Sequence, residues 1–76
     1  MVLETSPPCH VVAVAHYPIR LSQFLKLADI VADGAAAKEL IRQQRVSVNS
    51  AVELRRGRQL QKNDRVIVDG TWYTCG

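Results

Sequence analysis

The sequence predicts a small α+β domain in which two short consecutive helices pack on a mainly antiparallel sheet, in the order β-α-α-β-β-β-β. Three observations predict it. A short apolar, β-branched run near residue 11 precedes two stretches with apolar residues at helical spacing. Valines then alternate with polar residues on both sides of Asn49-Ser50, and Asp69-Gly70 separates two further strand-like runs. At 76 residues the chain is one domain, expected to bury only about 60% of the surface its unfolded form exposes. Its 47% hydrophobic and 22% charged residues place it with folded proteins and away from the disordered class.

Residues 1–10 are expected to be a flexible lead-in, because Pro7-Pro8 offers no backbone donors, and residues 11–76 form the domain. The run Val11-Val12-Ala13-Val14-Ala15-His16 favours a strand, ended by Tyr17-Pro18. From Leu21 the apolar residues Leu21, Phe24, Leu25, Ala28 and Val31 mark one buried stripe of a first helix, with Lys26 and Asp29 outward. Asp33 suits the N-cap of a second helix, which follows almost without a linker. Its inner face is Ala37, Leu40 and Ile41, with Gln44 at the edge, and Lys38, Arg42 and Arg45 form a separate cationic stripe. Val46 and Val48, a turn at Asn49-Ser50, then Val52 and Leu54 read as a hairpin. A second hairpin joins Val66-Ile67-Val68 to Trp72-Tyr73.

Charge is distributed unevenly. Residues 38–65 hold eight basic residues against the three acids Glu39, Glu53 and Asp64, a net +5, while the rest of the chain sums to −2. Such asymmetry on a small domain is the footprint of a nucleic-acid binder; the plainer reading is a solvated face. Arginine can grip two phosphate oxygens with its planar fork or stack on an exposed base. The segment Arg55-Arg56-Gly57-Arg58 therefore suggests more than general attraction, and Gly57 would let the loop bend and the backbone approach a phosphate. The plainer alternative is an exposed turn whose arginines meet only solvent and Glu53.

Other classes are not supported. The longest early apolar run, residues 11–15, is too short to span a bilayer, and no basic stretch precedes it as in a secretory signal. Cys9 and Cys75 make no paired motif, so free thiols in a cytoplasmic protein are expected. Cys9, His10, His16 and Cys75 match no common zinc spacing. No phosphate-cradling glycine loop is present, and a Cys-His nucleophile pair would need a pocket that so short a chain hardly has room for. With only Phe24, Trp72, Tyr17 and Tyr73 as aromatics, a sheet face stacking several bases is not expected.

Taken together, Arg20-Leu21-Ser22-Gln23-Phe24-Leu25, the run from Ala37 through Ser50 and Lys62-Asn63-Asp64-Arg65-Val66-Ile67-Val68 resemble the RNA-binding domain of ribosomal small-subunit protein four, the alpha-L motif. The likeness is greatest to small stand-alone bacterial members, which carry a segment similar to Val52-Glu53-Leu54-Arg55-Arg56-Gly57-Arg58 after the hairpin. Where many members open the second helix with Ser-Arg, this chain has Asp33-Gly34, so one arginine of the pattern is missing. The resemblance implies a non-catalytic, cofactor-free, monomeric module. Its implied partner is a structured RNA, ribosomal or another folded non-coding RNA, and neither a membrane nor a small-molecule substrate. Lys38, Arg42, Arg45, Arg55, Arg56 and Arg58 would be the main contacts, with Lys26, Asn49 and Lys62 secondary. The alternative is a protein-interaction module docking an acidic partner on the same basic face.

Overall fold

The computed structural model describes residues 9–76. Of the expected lead-in, residues 1–8 lie outside the described residues, and Cys9 already opens the first strand, β1 (Cys9–Val12). That strand ends four residues earlier than its composition suggested. Its length is set by its partner: β1 runs parallel to β7 (Thr71–Cys75), from Cys9 opposite Trp72 to Val12 opposite Cys75, where β7 also ends. An irregular stretch follows, with a cis Tyr17–Pro18 peptide bond. It leads into β2 (Ile19–Arg20), α1 (Leu21–Leu27), α2 (Gly34–Arg42), β3 (Val46–Val48), β4 (Ala51–Val52), β5 (Gln59–Leu60) and β6 (Arg65–Val68). One five-stranded sheet has the order β1-β7-β6-β3-β4, antiparallel except at β1; β2 and β5 form a separate antiparallel pair.

Both helices form where the apolar spacing requires. Leu21, Phe24 and Leu25 of α1 and Ala37, Leu40 and Ile41 of α2 are buried, against Val46 and Val48 of β3, Leu60 of β5, and Val66 and Val68 of β6. The inward valines lie opposite one another, Val46 with Val68 and Val48 with Val66, so the period-2 pattern becomes a paired core face. Asp33 caps α2 as expected, its Oδ1 accepting from the Ala36 amide at 2.8 Å.

Three details depart from the sequence reading. First, α1 stops at Leu27, Asp29 takes φ 63°, and the amides of Ile30 and Val31 bond back to the Leu25 carbonyl. Residues 28–33 therefore separate the helices, while Ala28 and Val31 still pack on the core. Second, Leu54 lies beyond β4 and is 58% exposed. Third, β5 and its pairing with β2 carry no alternation long enough to predict.

Cys9 and Cys75 are free thiols, Cys9 exposed and Cys75 buried. Burial pushes the Cys75 thiol up to about 11, which keeps it protonated at neutral pH. No buried side-chain polar atom among the described residues lacks a hydrogen-bond partner. No helix among them is long and apolar enough to cross a membrane.

Candidate nucleic-acid interface

The arginine segment is a built structure. Glu53, 7% exposed, is the buried acid of residues 53–58. Its Oε2 accepts from the Arg55 amide at 3.0 Å and from Arg55 Nε at 2.9 Å, while its Oε1 accepts from Arg55 at 3.2 Å and from Arg58 at 2.8 Å. One carboxylate thus orders two guanidinium groups and a stretch of backbone. The hydrogen bonds from Arg55, with further help from Arg58, hold the Glu53 carboxyl down to about 2 in spite of burial.

The segment is also fixed to α1. The first two amides of that helix, Leu21 and Ser22, donate to the carbonyls of Arg58 and Arg56 at 2.8 and 3.1 Å. Orphan donors of the helix start are satisfied by the arginine segment's own backbone. Gly57 does not take a left-handed conformation, and a Cβ built on it would meet open space. The expected need for glycine to bend the loop is therefore absent, although its bare, open face remains.

A groove of about 320 Å³ lies between α2 and this segment, lined by Lys38, Ile41, Arg42, Gln44, Leu54 and Arg56. Arg42 is paired with Glu39, its Nε donating at 3.2 Å; the pair lowers the Glu39 carboxyl below its ordinary value and raises Arg42. Neither Lys38 nor Arg56 takes part in an ion pair among the described residues. They are its least encumbered cations.

The other residues expected to contribute lie apart from this groove. Arg45 does not continue the helical stripe: α2 ends at Arg42, Gln44 takes φ 62°, and Arg45 turns to Asp69 of the β6–β7 turn, its Nε donating at 2.9 Å. That pairing lowers the Asp69 carboxyl and raises Arg45. Lys26 lines a different groove, beside Val14, His16 and Leu27. Lys62 is exposed near the start of β6. The Asn49 side chain joins the hairpin to β6, accepting from the Arg65 amide at 3.0 Å and donating to Asp64 at 3.2 Å.

Sequence reasoning named Glu53 as an acid the arginines meet but missed its burial, and it missed the places of Gln44 and Leu54 in the groove. The acid's spacing, two residues before Arg55 and five before Arg58, was the available signal for Glu53. Gln44 and Leu54 gave none, since both fit ordinary patterns at a helix edge and in a strand. No group of His, Cys, Asp and Glu among the described residues is arranged to hold a metal ion.

Comparison with known proteins locates this fold. The S4 domain family matches residues 12–75. The probable ribosome maturation protein RlbA of Bacillus subtilis (strain 168) is 44% identical over 52 residues, which cover 68% of this chain and 73% of that protein. A crystal structure of pseudouridylate synthase superposes with a TM-score of 0.60 at 23% identity, covering 67% of this chain and 22% of that one. That likeness is one of fold. With the family match running from the last residue of β1 to the last of β7, and a relative sharing close to half its residues over most of both chains, this protein belongs to the S4 domain family.

Proposed function

We propose that this protein is a non-catalytic, monomeric RNA-binding module that acts in the cytoplasm on structured RNA of the ribosome or its precursors. The observation that carries the reading is the groove between α2 and the arginine segment, where Lys38, Arg42 and Arg56 converge on one face. Membership of the S4 domain family and a relative named for ribosome maturation support it. Arg55 and Arg58 present the outer sides of guanidinium groups already oriented by Glu53; the Arg55 side chain remains 73% exposed. A preoriented arginine loses less freedom on meeting a phosphate than a free one. Arg45, Lys26, Asn49 and Lys62, which lie apart from the groove, are secondary contacts in this reading.

Salt dependence tests the reading. With about five phosphates contacted, binding to purified ribosomal RNA should weaken with a log-log salt slope of roughly −3 to −5. Arg56→Gln should lower affinity and reduce the slope by about one. Arg65→Gln removes the same charge from β6, away from the groove, and should leave affinity within about twofold. If both variants weaken binding equally, net charge rather than a site is responsible, and the reading falls.

A further inference from the structure

Leucine is an odd residue to find among phosphate contacts. Leu54 is 58% exposed, makes no part of the core, and stands in the same groove as Lys38, Arg42 and Arg56. Ile41, nearly fully buried, closes the floor of the groove behind it. Apolar walls can sharpen the field of nearby cations, but an exposed leucine itself pairs with no phosphate oxygen and offers contact only to an apolar group. A groove of about 320 Å³ with apolar walls and a few polar groups has the make-up of a site for a compact, flat, partly apolar group.

We propose that this groove receives a single unstacked nucleobase of the bound RNA, an inference that rests on the RNA-binding reading above. A base extruded from a helix offers an apolar face, a polar edge and a phosphate on each side, and the groove has a counterpart for each. Leu54 meets the face, above the floor that Ile41 closes. The Arg56 guanidinium stacks on it; Glu53 engages Arg55 and Arg58, and no ion pair among the described residues holds Arg56. Gln44, whose backbone at φ 62° departs from the α2 helix, brings an amide that can donate to or accept from the base edge. Lys38 and Arg42 meet the flanking phosphates. Since no aromatic residue lines the groove, stacking falls to the arginine and recognition tolerates different bases.

The test uses three RNA hairpins with one 12-base-pair stem: uninterrupted, carrying one bulged adenosine, and carrying an abasic ribose at the bulge. The bulged adenosine should bind about five- to tenfold more tightly than both others, which should bind alike. Leu54→Ser should abolish that preference while keeping the salt slope and, because Leu54 is exposed, the melting temperature within a few degrees. Arg56→Lys, which keeps the charge and loses the plane, should reduce the preference at an unchanged slope. Equal binding of the three hairpins with the salt slope intact would overturn the base site and leave the RNA reading standing. Persistence of the preference in Leu54→Ser would overturn it too. Absence of salt-dependent binding to every RNA would instead remove the reading on which it rests. A tighter complex with an acidic, leucine-bearing peptide than with any hairpin would assign the groove to a protein partner and overturn the base site.

Discussion

Glu53 decides how the arginines next to it can behave. A buried carboxylate with four hydrogen bonds from two arginines is favourable only while it is ionised. Its carboxyl is lowered from an ordinary 4.5 to about 2 in the folded protein. The stability it contributes is therefore full above about 4.5 and is lost as the pH falls from there through about 2. Glu39 and Asp69, also lowered by their arginines, add in the same direction. Glu53→Gln should cost about 1–3 kcal/mol at neutral pH, through lost charge-assisted hydrogen bonds. It should also flatten the fall in melting temperature between pH 4.5 and 2, as followed by circular dichroism. A variant that melts with the parent's acid profile would show that the ion pairs carry no stability. In the sequence the spacing of Glu53 from Arg55 and Arg58 signals a pairing, but it does not tell a buried organiser from a solvated counter-ion. Burial of its carboxylate depends on the segment folding back onto α1.

At the scale of elements, legibility followed the distance over which a signal acts. The alternation of Val46 with Val48 and of Val66 with Val68, the Asp33 cap and the turns at Asn49-Ser50 and Asp69-Gly70 are set by neighbours in sequence and are found where the residues place them, whereas Val52 and Leu54 beyond the first turn are exposed. The parallel pairing of β1 with β7 and the two-residue pairing of β2 with β5 join segments far apart in the chain and leave no periodic trace. The end of α2 was misjudged for a related reason. Arg45 fits a helical stripe by spacing, yet the chain turns at Gln44 and Arg45 finds Asp69 at the end of the neighbouring strand. The Asn49-Ser50 turn gives a direct check on element geometry, because both residues lie at positive φ, 50° and 74°, as a two-residue type I′ turn demands. Ser50→Gly should stabilise the protein by about 0.4–1 kcal/mol, since relieved backbone strain exceeds glycine's extra unfolded-state entropy. Thermal melting should show a rise of a few degrees; a fall would mean that the serine is not strained there.

For the molecule as a whole, the positive charge was legible and its division was not. The excess of cations in residues 38–65 marked that stretch as unusual, because composition survives any fold. Which cations remain available depends on the acids that hold the others: Glu39 holds Arg42 within α2, Glu53 holds Arg55 and Arg58 within one segment, and Asp69 reaches Arg45 from far along the chain. The groove exists because α2 and the arginine segment are each held to α1, α2 through shared core packing and the segment through the carbonyls of Arg56 and Arg58. That second attachment links the helix start to the loop in time as well as in space. For the Leu21 and Ser22 amides to trade their protons with solvent, the arginine segment must first lift away, so their exchange rates measure how often it opens. In deuterated buffer both protons should persist far longer than those of exposed turns, and Glu53→Gln should shorten their lifetimes while sparing those of Val48 and Val66 at the sheet centre. Equal acceleration everywhere would mean that the segment opens only when the entire domain unfolds.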